Sequence, residues 1–247
     1  MSKFNITFFR DREEDKHSVF NFFQNSSPDG WIDRSVYYKL PLHIVKDMVD
    51  KKEGAKKQLF DFMDREYDIA EEIDFYRAAQ NHNEKLWKGI STKFAKRVFE
   101  ITDKELCEYK CHVSMHLTTS AWNEYATIRR NVMLLWEEQY MTAFEILLSH
   151  TFKFVRDYYS EEDVASAWDV WGFAEITASF IMRDSVLYDM FPDVKERDIN
   201  INWFKNTPYT CLVEHEDVFK GFWIGRKSFK DYVDRSVEYL KKNPIVF

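Results

Sequence analysis

Residues 55–79 read AKKQLFDFMDREYDIAEEIDFYRAA, and this stretch sets the expectation for the whole chain. Leu59, Phe60, Met63, Tyr67, Ala70, Ile73, Tyr76 and Ala79 recur at three- and four-residue spacing, the apolar stripe of an amphipathic helix. Asp61, Asp64, Asp68, Glu71 and Glu72 fall on the opposite face. The pattern predicts a helix from about Ala55 to about Lys88. Outward from it, no proline occurs between Pro41 and Pro192, and only Gly54, Gly89 and Gly172 interrupt that interval. Proline in a helix interior costs ~3 kcal/mol and glycine ~1 kcal/mol. A span avoiding both reads as helix after helix, from about residue 42 to about residue 191.

The remaining elements follow from local signals. Pro41 opens a short helix that ends near Gly54. A further short helix is expected over about Thr92–Phe99. Thr102 and Glu105 form a T-x-x-E capping box, which predicts a helix running on through Cys111 and His116. From Tyr125 to Val155 the apolar residues share one face, predicting a long helix over about Ala121–Tyr159. Ser160-Glu161-Glu162-Asp163 reads as a cap with an acidic first turn. The helix that follows, about Glu161–Tyr188, is apolar on most sides and is the candidate for the most buried one. A last helix is expected over about Lys227–Lys242. The ends look different. Phe4–Phe9 is β-prone, Ser26–Gly30 is turn chemistry, and Trp31–Leu40 reads as a strand. Tyr209–Glu214 and Val218–Ile224 flank His215-Glu216-Asp217 in the manner of a hairpin. The expected fold is therefore mainly α, a multi-helix array or bundle of about six or seven helices. A small β element is expected where the N- and C-terminal segments meet. One domain is expected over 1–247, with a helical body at about 42–191 and mixed ends at 1–40 and 199–247.

Composition narrows the function classes. The 247 residues are 45% hydrophobic and 17% aromatic, with 22 Phe, 13 Tyr and 8 Trp, so a bulky core is expected. A net charge of −7 argues against an extensive nucleic-acid surface, which needs clustered Lys and Arg. A local basic patch remains compatible with it. Cys107, Cys111 and Cys211 are few and odd in number, which fits a reducing, cytoplasmic compartment. The N-terminal apolar run is too short for a signal peptide, and no uncharged run is long enough to span a membrane. There is no phosphate loop, G-x-G-x-x-G, H-E-x-x-H, C-x-x-C or G-x-S-x-G. Nucleotide chemistry is not expected, and no cofactor is implied.

Three polar patterns could carry chemistry. Glu105, Glu108, His112 and His116 would share one face of the helix opened by Thr102. Carboxylates and imidazoles on facing helices hold iron, manganese or zinc in helical bundles, and the acidic face from Asp61 to Glu72 could supply the opposite ligands. The Glu-x-x-His spacing of di-iron bundles is absent from this stripe, and a solvated polar face explains it equally well. The second pattern is Arg77-Ala78-Ala79-Gln80-Asn81-His82. Arg followed by His at this spacing resembles the ribonuclease motif of HEPN-domain proteins, which are also helical. That resemblance implies His82 as general base on a ribose hydroxyl and Arg77 on the phosphate. The sequence departs from the family pattern at Ala78, where a polar residue usually follows the Arg. The third is Glu175, within a narrow polar seam of Asp169, Gly172, Glu175, Ser179 and Arg183. Burial there would raise its pKa.

With no catalytic motif and an excess of aromatics, the leading expectation is a non-enzymatic intracellular interaction protein: a regulatory, assembly or accessory factor working through a helical, aromatic-rich surface. A protein partner or self-association is expected, and no membrane. The metal-independent ribonuclease and the metal-carboxylate protein are the alternatives. Heavy use of Phe, Lys, Asn, Asp and Tyr is what an AT-rich genome encodes, and a bacteriophage or mobile element is one such source.

Overall fold

A computed structural model of the chain describes residues 4–24, 40–116, 121–124, 127–131, 138–160, 166–191 and 211–245. In chain order the elements are β1 (Ile6–Phe9), α1 (Arg12–Gln24), α2 (Leu42–Val49), α3 (Ala55–Glu72), α4 (Phe75–Thr102), β2 (Tyr109–Ser114), β3 (Ala121–Glu124), β4 (Thr127–Asn131), α5 (Glu138–Tyr158), α6 (Ala167–Met182), α7 (Ser185–Tyr188), α8 (Cys211–Ile224) and α9 (Phe229–Leu240). The fold is mainly α.

α1 was not among the expected elements, whereas α2 and α3 start where the patterning places them. α2 follows Pro41 and buries Ile44, Val45 and Met48. α3 starts at Gly54, whose φ of 80° is left-handed, and buries Ala55, Leu59, Met63, Tyr67 and Ala70. The single helix expected over 55–88 is broken at Asp74, where φ is 53°. Aspartate tolerates this left-handed conformation better than most residues, and the break lets the chain double back. α4 then runs on through the expected Thr92–Phe99 helix, burying Tyr76, Ala79, Trp87, Phe94 and Val98 along one side. The charged face of α3 is neutralised by α1. Arg12 reaches Asp68 at 2.9 Å and Glu71 at 3.4 Å, and Lys16 reaches Asp64 at 2.9 Å.

The sheet departs from the expectation in both position and membership. It has the order β1-β2-β4-β3 and draws on the N-terminal and middle segments. β1, β2 and β4 are parallel, with Phe9 opposite His112 and His112 opposite Arg129, and β3 is an antiparallel edge. Gln80 of α4 donates to the Phe8 carbonyl at 2.9 Å, occupying a polar group of the edge strand β1. The helix expected after Thr102 does not form. Thr102 ends α4, its hydroxyl donates to the Val98 carbonyl at 2.9 Å, and Asp103 turns left-handed at φ 54°. β2 is central and buried from Cys111 to Ser114. A strand covered on both faces loses the polar alternation that marks strands in sequence. The expected helix over 121–159 is instead β3, β4 and α5.

The C-terminal hairpin expectation is likewise overturned. Residues 211–224 are one helix, α8, which buries Leu212, His215, Glu216 and Phe219. The expected strand at Trp31–Leu40, the turn at Ser26–Gly30 and the cap at 161–163 fall almost entirely outside the described residues. The apolar helix of residues 161–188 is α6 plus the short α7. Its observed N-cap is Ser166, whose hydroxyl accepts from the Asp169 N–H. From Asp169 to Met182 every residue of α6 except Trp171 is buried. The buried hydrophobic residues form one cluster, from Phe4 to Ile245. Its C-terminal part is aromatic: Phe173 packs on Phe219 and Tyr232, and Trp223 on Phe229 and Tyr232. No helix among the described residues is long and apolar enough to cross a membrane.

Candidate functional site

Arg77 and His82 both lie exposed on α4. Five positions apart on a helix, their side chains leave it about 140° apart, so they do not converge on one phosphodiester. Arg77 Nε instead lies 3.3 Å from Asp74 Oδ1. Glu105 and Glu108 are exposed in the irregular segment before β2, whereas His112 and His116 are buried on and just after it. The four-residue stripe therefore has no helix to hold it. Among the described residues no three His, Cys, Asp or Glu side chains are grouped so that they could hold a metal ion.

His112 instead joins a buried polar knot at the carboxyl ends of β1 and β2. Asp11 and Asp15, from the start of α1, meet it there. His112 Nε2 accepts the Asp11 N–H at 3.2 Å and lies 3.8 Å from Asp15 Oδ1, and its ring stacks on Phe9. The Tyr67 hydroxyl donates to the Asp15 carboxylate, and the Tyr76 hydroxyl donates to the Val113 carbonyl at 2.8 Å. Burial, then the Asp15 charge, pushes both phenol pKa values up. His116 packs edge-on against Tyr67. The knot ties α1, α3, α4, β1 and β2 together, and its phenols are held protonated. Nothing in the sequence linked Asp15 to His112, which are 97 positions apart.

Glu175 is buried in α6, with its pKa raised first by desolvation and then by the charge of Glu145 on α5. Arg183, of the same polar seam, lies 3.4 Å from Glu216.

The accessible feature is a cleft of about 690 Å³ between α4, the end of α6 and the α8–α9 turn. Arg97, Arg183, Lys220, Arg226 and Lys227 line it, against the two carboxylates Glu100 and Asp184. Those carboxylates are committed. Arg97 forks onto Asp184 at 2.9 and 2.6 Å and reaches Glu100 at 2.9 Å. The hydrogen bonds to Asp184 and Glu100 raise the Arg97 pKa, and the bond from Arg97 lowers that of Asp184. Asp184 also accepts the N–H groups of Val186 and Leu187 at the start of α7. Lys220 and Lys227 have no carboxylate partner among the described residues. The Arg226 guanidinium lies 3.6 Å above the Trp223 ring and donates to the Trp223 carbonyl. Sequence reading passed over these residues because Lys220, Arg226 and Lys227 meet Arg97 and Arg183 only when α8 folds as a helix against α6 and α4. The chemistry available to the cleft is recognition of negative charge.

No protein-family model, curated protein or solved structure matches the chain.

Proposed function

We propose that the protein is a non-enzymatic accessory or regulatory factor that docks an acidic segment of a partner protein in the cleft. One observation carries this reading: a cleft with five cations against two already committed carboxylates, on a chain of net charge −7. Selective clustering of positive charge on an acidic protein creates a local field that reaches about 8–10 Å at moderate salt. A short acidic segment inside the cleft feels that field more than the net charge. A nucleic acid is the poorer fit. Its long charged backbone meets the −7 as a whole, and its bases need open aromatic faces to stack on. Here Trp223 is covered by Arg226, and Phe180 and Phe229 are only 5% and 2% exposed. The three free thiols support a reducing, cytoplasmic setting.

Fluorescence titration with a labelled oligo-glutamate peptide tests the reading. Binding to the wild type that weakens with salt and disappears in a Lys220→Glu, Lys227→Glu double variant is expected. Failure of the wild type to bind at low salt would overturn it.

A further inference from the structure

The cleft holds two kinds of cation. Arg97 and Arg183 already pair with Asp184 and Glu216. Lys220, Arg226 and Lys227 pair with no carboxylate among the described residues, and all three line the cleft. Arg226 is the telling member. Its guanidinium is fixed in orientation by the Trp223 ring beneath it and the Trp223 carbonyl beside it. Desolvation lowers its pKa, and the charges of Tyr232 and Asp184 offset that only in part. An arginine held flat on an aromatic ring keeps part of its N–H fork free for a bidentate oxyanion.

The geometry points to a phosphomonoester subsite formed by Arg226, Lys220 and Lys227, which recognises a phosphorylated side chain within the acidic segment of the partner. This inference rests on the reading of the cleft given above. A carboxylate carries one charge and two oxygens, and the Arg97–Asp184 fork shows what one guanidinium suffices to satisfy. A phosphomonoester carries nearly two charges and three acceptor oxygens, which matches one fork and two ammonium groups. The Arg226 fork would take two oxygens, and Lys220 and Lys227 would neutralise the remaining charge.

The test uses the full chain and two ten-residue glutamate-rich peptides, identical except that one carries a single phosphoserine. Inorganic phosphate serves as competitor. The phosphopeptide should bind the wild type at least ~10-fold more tightly, the scale of one charge-assisted hydrogen bond, and inorganic phosphate should remove that margin. Arg226→Ala should abolish the margin. Arg226→Lys should keep only part of it, because the charge survives without the fork. Lys220→Ala and Lys227→Ala should each reduce it, and Lys57→Ala, outside the cleft, should leave it intact. Far-UV circular dichroism checks that each variant folds. If Arg226→Ala does not fold, the exposed Lys220 and Lys227 variants decide the matter. Equal affinity for the two peptides would overturn the phosphate subsite and leave the acidic-segment reading standing. Binding of neither peptide would overturn both. Tighter binding of a single-stranded oligonucleotide than of the phosphopeptide would also overturn the inference.

Discussion

Tyr67 and Tyr76 are buried tyrosines that meet edge to face, yet they do different work. Tyr67 donates to a charged acceptor, the carboxylate of Asp15, and Tyr76 to a neutral carbonyl. Hydrogen bonds to charged groups contribute about 1.5–3 kcal/mol and neutral ones about 1 kcal/mol. Tyr67→Phe should therefore destabilise the protein about twice as much as Tyr76→Phe, read as a shift of the urea midpoint at unchanged slope. Equal shifts would mean that Asp15 finds another donor. Asp184 serves two ends at once, capping α7 and holding Arg97. Asp184→Ala should lower stability by about 1 kcal/mol, the scale of a lost N-cap. The same change frees Arg97 in the cleft, so affinity for an acidic peptide should rise as stability falls. A drop in both would show that Arg97 needs Asp184 to hold its position.

At the scale of elements, two glycines give opposite predictions. Gly89 sits inside α4, and a Cβ built there meets no heavy atom within 4 Å. Gly89→Ala should stabilise the protein by about 0.5–1 kcal/mol, the helix-propensity difference. Gly54 has equal space but a φ of +80°, so Gly54→Ala should destabilise it by about 1 kcal/mol. Thermal melts of both variants check the pair. The elements also show what patterning can deliver. α2, α3, α6 and α9 bury one face or nearly everything, and their sequences carry that signal. β2 was hidden because the three- and four-residue spacing of Glu105, Glu108, His112 and His116 imitates a helix. Its buried polar residues, His112 and Ser114, gave no alternation to correct the reading. α8 was hidden for the reverse reason. Val213, Val218, Phe219, Phe222 and Trp223 favour strands as isolated residues, and only packing on α6 and α9 makes them helical.

For the whole molecule, two buried groups shape stability against pH. His150 is buried with Nε2 3.1 Å from the Thr102 hydroxyl, and its pKa falls to about 3 by desolvation and then by Lys104 and Lys153. The unfolded imidazole takes up a proton below its ordinary 6.5, and the folded one does not until about 3. Stability should therefore fall as pH drops through that window. Glu175 acts the other way. Its folded carboxyl keeps its proton well above the ordinary 4.5, where the unfolded chain has lost it. Its contribution should fall as pH rises past 4.5. Each group changes stability by up to about 1.4 kcal/mol per pH unit within its own window. Just above 4.5 the two slopes oppose each other. Below 4.5 only the His150 loss remains of the two. Urea midpoints measured across pH should show Glu175→Gln reducing the loss that begins above 4.5. His150→Gln should flatten the acid limb, although Asp184, whose pKa is lowered by Arg97, adds its own loss below about 3.8. An unchanged profile above 4.5 in Glu175→Gln would show that the carboxyl does not set it.

The sequence by itself determined that the chain is mainly helical, that residues 4–9 are β-prone, and that the helix within about residues 161–188 is the most apolar. Proline placement and apolar periodicity are local properties, and they act before any long-range contact forms. Tertiary structure alone decided which segments pair with β1, which polar groups meet Asp15, and that cations from α4, α6 and the α8–α9 turn line one cleft. Those outcomes depend on residues tens of positions to more than a hundred apart, and no local pattern encodes which distant partner will neutralise a charge or cover the second face of a strand.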